Sequence, residues 1–288
     1  MTTFISFIKR HPVLTYYVLT FAISWGGILI VVGPGGIPGT AGDFEKLLGA
    51  VILVMFAGPS LTSLLLTAIF EGRDGLRGLF SRLLRWRVAI RWYAIALLTA
   101  PLVLTAIPLA VSLLNAEFLP RIFLVNNKAS LLLFGMAAGL STVLEEIGWT
   151  GFAVPMLRLR HSILTTGLIV GFLWGAWHLL VNFWSSGSPS GSLLLPLLLH
   201  SVFFSVGVLP AYRVLLVWVY DRTGSLLVVT LMHASLTASN IILVPVATGV
   251  TLVAWSLILT AALWAIVAAV AATNDGQLSR RPLRAQVA

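Results

Sequence analysis

The chain has 288 residues, of which 59% are hydrophobic and only 9% charged, and its mean hydropathy is +1.01. Soluble domains carry roughly 25% charged residues, so water cannot be the main solvent and a water-soluble globular fold is excluded. The net charge of +9 is spread among long apolar runs, which points to topology signals and anionic lipid headgroups rather than nucleic acid.

Taken in chain order, Lys9 and Arg10 precede an apolar run over 13–32. That run is too long for a signal-peptide core, and no small-x-small cleavage site precedes Gly35-Gly36, so it reads as a retained first span. Seven further runs reach the roughly 20 residues needed to cross a bilayer: 47–70, 92–115, 130–153, 162–184, 192–219, 225–243 and 251–272. Between the second and third, the segment 71–91 alternates Arg with Leu, Phe and Trp and is expected to lie along the headgroups. The loop 185–191 is uncharged and rich in Ser and Gly, hence flexible. In 192–219, Pro196, Pro210 and Arg213 predict a kink or break.

With the N-terminus inside, fourteen of the eighteen Lys and Arg fall in inner segments. Lys46, Arg121 and Lys128 fall outside, and Arg213 lies within a span. This split follows the positive-inside rule and predicts an all-α, eight-span, multi-pass cell-membrane protein with both termini cytoplasmic. The whole of 1–288 reads as one membrane domain without internal repeat, with a catalytic core over 130–243 and a basic cytoplasmic tail over 273–288. The absence of cysteine excludes disulfides and thiolate metal sites.

Of nine acidic residues only Glu145 and Glu146 lie within a span; the other seven, Asp221 among them, fall in loops or tails. A carboxylate at mid-bilayer costs about 2.5–3.5 kcal/mol even on the gentle insertion scale, so the pair is expected to face the protein interior and to act. The competing reading is a cap at the end of the span or a carboxyl kept neutral by burial. Among the histidines, His11 and His161 flank basic loop ends, while His178, His200 and His233 lie inside spans. Trp174 shares a helical face with His178, and Thr237 with His233. Small residues around them (Gly148, Gly151, Gly171, Gly175, Ala176, Ala234, Ser235) allow close helix approach and room for a substrate strand. His200 lacks such a setting and reads as a core histidine.

One carboxylate and two imidazoles are the parts of a water-activating hydrolase. Glu145 would be the general base and His178 would hold the attacking water. His233 and Thr237 would donate to the oxyanion. Glu146, turned about 100° from Glu145, would orient a neighbour or anchor substrate. Glu145, His178 and His233 also match a catalytic zinc set in composition, although no His-Glu-x-x-His helix is present. The residues leave both versions open, with a metal-free mechanism preferred and no required cofactor. There is no Gly-x-Ser-x-Gly turn and no pair of intramembrane aspartates. Straight spans would set His178 about 10 Å deeper than Glu145.

The segments Glu145-Glu146-Ile147-Gly148-Trp149-Thr150, Trp174-x-x-x-His178 and His233-x-x-x-Thr237 resemble the CPBP family of intramembrane proteases. That family includes the type II CAAX prenyl endopeptidases and the Abi bacteriocin-immunity proteins. Its patterns are Glu-Glu-x-x-x-Arg, Phe-x-x-x-His and His-x-x-x-Asn/Asp. Thr150, Trp174 and Thr237 depart from them, and Asn240 lies about one turn beyond Thr237. The resemblance implies an eight-helix endopeptidase acting on a membrane-associated, CAAX-like protein or peptide. It also implies that Glu145, Glu146, His178 and His233 are the catalytic set, with Thr237, Trp174 and Asn240 in support. Two other readings of these residues are a proton- or cation-coupled transporter and a catalytically silent immunity-type protein of the same fold.

Overall fold

The computed structural model describes residues 6, 8–33, 35–189, 192–273 and 278, so the predicted basic tail lies almost wholly outside the described residues. Eight helices among them are long and apolar enough to cross a membrane. They are α1 (Pro12–Val32), α2 (Ala41–Leu83), α3 (Ile90–Ser112), α4 (Lys128–Arg158), α5 (Ile163–Ser185), α6 (Leu195–Thr223), α7 (Leu226–Leu243) and α8 (Gly249–Thr273). A 3₁₀ turn (Ala116–Phe118) and a one-turn helix (Arg121–Leu124) join α3 to α4. The predicted all-α, eight-span class is therefore what the chain adopts.

Local chemistry sets the helix ends. Thr40 and Asp43 form a reciprocal capping box at the start of α2. Ser162 and Ser225 accept from Thr165 and Val228 N–H and start α5 and α7. Gly224, at φ +59°, ends α6 in the left-handed conformation that only glycine adopts freely, which allows α7 to begin immediately. Gly72, at φ +61°, breaks α2. The segment beyond it is helical as far as Leu83, with Arg73, Arg77 and Phe80 exposed, and irregular only from Leu84 to Ala89.

The helices pair in a way that encloses α6. The closest neighbours are α1 with α2, α5 with α6, α7 with α3 and α4, and α6 with α8. Every residue from Leu209 to Val219 is buried, so this half of α6 is packed on all sides. The expected break in this span is a π turn, Phe204–Val208, just before Pro210, while Pro196 opens the helix instead of interrupting it.

Two sequence expectations are corrected. The loop after α5 is tied down: Ser186 is buried, Gly187 bridges Leu193, and Ser188 N–H donates to Ser192 O at 2.7 Å, while Ser190 and Gly191 lie outside the described residues. Asp221 is not a loop acid but the buried partner of Arg158, at 2.7 Å. Gly148 and Gly175 provide the close helix approach expected of them. A Cβ on Gly148 would strike Tyr16 and Pro59, and one on Gly175 would strike the Ser205 carbonyl.

Candidate active site

Helix α4 brings the two carboxylates into the bundle, and a π turn follows directly at Trp149–Ala153. Such turns misalign the backbone ladder and leave carbonyls seeking other donors. Ser60 and Ser63 of α2 donate to Leu144 O and Ile147 O at 2.5 and 2.8 Å. Arg82 donates to Gly151 O at 3.0 Å and to the Tyr220 hydroxyl at 2.7 Å. The distorted stretch of α4 is thus held at both ends by α2.

Each glutamate is gripped by the residue four positions on, as helical geometry places it. Glu145 Oε2 accepts from Trp149 Nε1 at 3.2 Å and from Trp174 Nε1 of α5 at 2.8 Å. Trp149 is in turn packed by Tyr17, stacked at 5.8 Å, and by Trp177, edge-on at 5.5 Å. Glu146 accepts from the Thr150 hydroxyl. It also receives Arg213 Nη1 at 2.8 Å and His233 Nδ1 at 2.8 Å, both on Oε1. Glu146 and Arg213 are fully buried.

Both imidazoles are oriented through Nδ1. His178 Nδ1 lies 2.9 Å from Trp174 O, an acceptor only, so the proton sits on Nδ1 and Nε2 keeps its lone pair. His178 packs edge-on against Trp177 at 4.8 Å. His233 meets the Glu146 carboxylate through Nδ1 and Trp174 edge-on at 4.8 Å.

Glu145, Trp174, His178, His233, Thr237 and Asn240 all line one cavity of about 330 Å³. Three of the four nominated catalytic side chains therefore share a chamber with all three nominated supporting residues. Glu146 does not reach it and stands behind, joined to His233. The expected depth mismatch disappears because α4 runs to Arg158, five residues past its expected end. At 1.5 Å per residue, Glu145 and His178 then lie within about 3 Å of equal depth.

Several wall residues escaped the sequence reading. His200 is on the cavity wall and bonds Ser256 at 2.6 Å, so it is not simply a core histidine. Asn182 is there too, donating to Ser205 at 3.0 Å. Arg213, read only as a mark of a broken span, is the cation of the site. A lone cation among spans that also hold a lone acidic pair was the available signal.

Zinc is the alternative reading for Glu145, His178 and His233, which line one cavity. Among the described residues no three His or carboxylate side chains converge as a metal site. Glu145 Oε2 already faces two N–H donors, and Arg213 supplies the positive charge behind them.

Comparison with known proteins was informative over the same stretch. Residues 127–239 match the family model described as Type II CAAX prenyl endopeptidase Rce1-like. The chain is also similar to the CAAX prenyl protease 2 of Methanococcus maripaludis, at 22% identity over 190 residues. That match covers 60% of this chain and 64% of the relative, so it spans less than two thirds of the relative's length. The family match thus agrees with the three motifs: from before Glu145 to beyond Thr237, the chain is similar to the type II CAAX prenyl endopeptidase Rce1-like family, within a bundle of helices long and apolar enough to cross a membrane.

Proposed function

We propose that this protein is an intramembrane endopeptidase that hydrolyses a peptide bond in a membrane-associated, CAAX-like protein or peptide with a water activated by Glu145 and His178. The observation that carries the reading is the convergence of Glu145, His178 and His233, from three different helices, on one cavity. The name of the curated relative supports the same activity.

Water would sit between Glu145 and the lone pair of His178 Nε2. As its oxygen attacks the scissile carbonyl carbon, Glu145 takes the proton. The carbonyl oxygen becomes an oxyanion facing His233, Thr237 and Asn240, which offer donors along one side of α7. Collapse of the tetrahedral intermediate breaks the C–N bond, and the proton on Glu145 passes to the departing amine. Glu146 keeps His233 turned toward the cavity. The 130–243 segment is the catalytic core on this reading, and no cofactor takes part.

The test is cleavage of a panel of membrane-anchored peptides, prenylated and not, by purified protein. Glu145→Ala and His178→Ala are each expected to lose roughly 10²–10⁴-fold in kcat, with normal yield and melting. A strong chelator is expected to leave the rate unchanged. Normal cleavage by both variants would overturn the site. An inactive wild type that conducts protons in liposomes would favour the transporter.

A further inference from the structure

Arg213 is fully buried within α6, in the stretch Leu209–Val219 that is enclosed on every side. A guanidinium at that depth is retained only where it is paired. Its Nη1 reaches both oxygens of Glu146, at 2.8 and 3.0 Å. Its plane lies against Trp174, with Cζ 4.2 Å from the ring centroid. Trp174 is the side chain that donates to Glu145 at 2.8 Å and, through its backbone carbonyl, fixes His178 at 2.9 Å. One cation therefore braces Glu146 directly and Glu145 through a single indole, on the residue whose backbone carbonyl holds His178.

We propose that Arg213 is the positioning residue of this site and that it replaces, from a second helix, the basic side chain that the Glu-Glu-x-x-x-Arg pattern would place at position 150. The inference rests on the proteolytic reading above and deepens it. Position 150 faces Glu146 from one turn away. Thr150 there donates to Glu146 and comes within 3.4 Å of Arg213 Nη1. A long cationic side chain at 150 would compete for the volume that Arg213 fills. The short threonine leaves that volume open, so the two positions are alternative homes for one guanidinium. Arginine at 150 is harmful while Arg213 is present and beneficial once it is gone.

Four variants of the full chain in lipid nanodiscs test this: Arg213→Lys, Arg213→Met, Thr150→Arg and the double variant Arg213→Met with Thr150→Arg. Cleavage kinetics and thermal melting are read for each. Lysine keeps the charge but cannot lie flat on Trp174. Arg213→Lys is therefore expected to melt like the wild type while kcat falls about 100-fold and KM stays within about threefold, the signature of misplaced groups. Arg213→Met and Thr150→Arg are each expected to lose activity and melting temperature, and the double variant to regain at least about tenfold in kcat over Arg213→Met alone. An unchanged kcat in Arg213→Lys, or a double variant no better than Arg213→Met, overturns the proposal. Should the wild type cleave nothing in the panel, the proteolytic reading fails by itself. The exchange is then decided by melting: the double variant must melt above Arg213→Met, and equal or lower melting overturns it.

Discussion

Glu145 and Glu146 are neighbours in sequence and opposites in environment. The 100° turn between them sends the first into a cavity lined by neutral donors and the second into contact with a guanidinium. A carboxylate held by indole N–H groups can still accept a proton; one locked to Arg213 is spent on structure. That division was half legible. Two acids in an apolar run announce themselves by their cost, and the histidines by their rarity in spans. Arg213 did not, because the prolines around it offered a competing account, a broken helix. His200 and Asn182 were invisible for a different reason: their role depends on which helices meet across the cavity, and no spacing encodes that. At this scale the oxyanion side is open to measurement. Removing one such donor costs about 10²–10³ in kcat in a known hydrolase. Asn240→Ala and Thr237→Val are each expected to lower kcat by roughly tenfold or more, with little change in KM. Unaltered kinetics in both would place the oxyanion elsewhere.

At the scale of the element, two π turns are the departures from regular helix that border the cavity. One follows the glutamates in α4; the other precedes Pro210 in α6 and lends Phe204 and Ser205 to the cavity wall. Span count and approximate ends were readable from apolar run length, since the bilayer sets that length. The π turns were not, since a one-residue irregularity leaves the run intact and arises only when neighbouring helices satisfy the freed carbonyls. The end of α4 was missed for a related reason: Arg158 looked like a loop charge, but its ion pair with Asp221 buries it. Gly175 shows how tightly α5 and α6 are set, since its Cα faces the Ser205 backbone in the cavity wall. Gly175→Leu is expected to push the two helices apart and to destabilise the protein by about 1–3 kcal/mol or more, read as a drop in melting temperature together with lost activity. Gly49→Leu, at a glycine with nothing within 4 Å of its Cβ position, is the matched control expected to melt normally.

For the whole molecule, the distribution of basic residues predicts that both termini and the turns after α2, α4 and α6 face the cytoplasm. The chain contains no cysteine, so single cysteines can be introduced without background. Ser188→Cys, between α5 and α6, is expected to react with a membrane-impermeant maleimide added to intact cells. Ser81→Cys, near the end of α2, is expected to react only after permeabilisation. The reverse pattern would invert the topology and move the scissile bond to the other side of the bilayer.

Trp174 stacks on a cation, donates to a Glu145 oxygen and walls the cavity. An indole so placed is an optical gauge of what enters. Its emission is quenched or shifted by the guanidinium and carboxylate around it, and a peptide seated in the chamber alters both influences. Titrating the inactive Glu145→Gln protein with a non-fluorescent peptide is expected to give a saturable change in emission, and Trp174→Phe in the same background to abolish most of it. Occupancy could then be followed separately from turnover, with no label attached to either molecule.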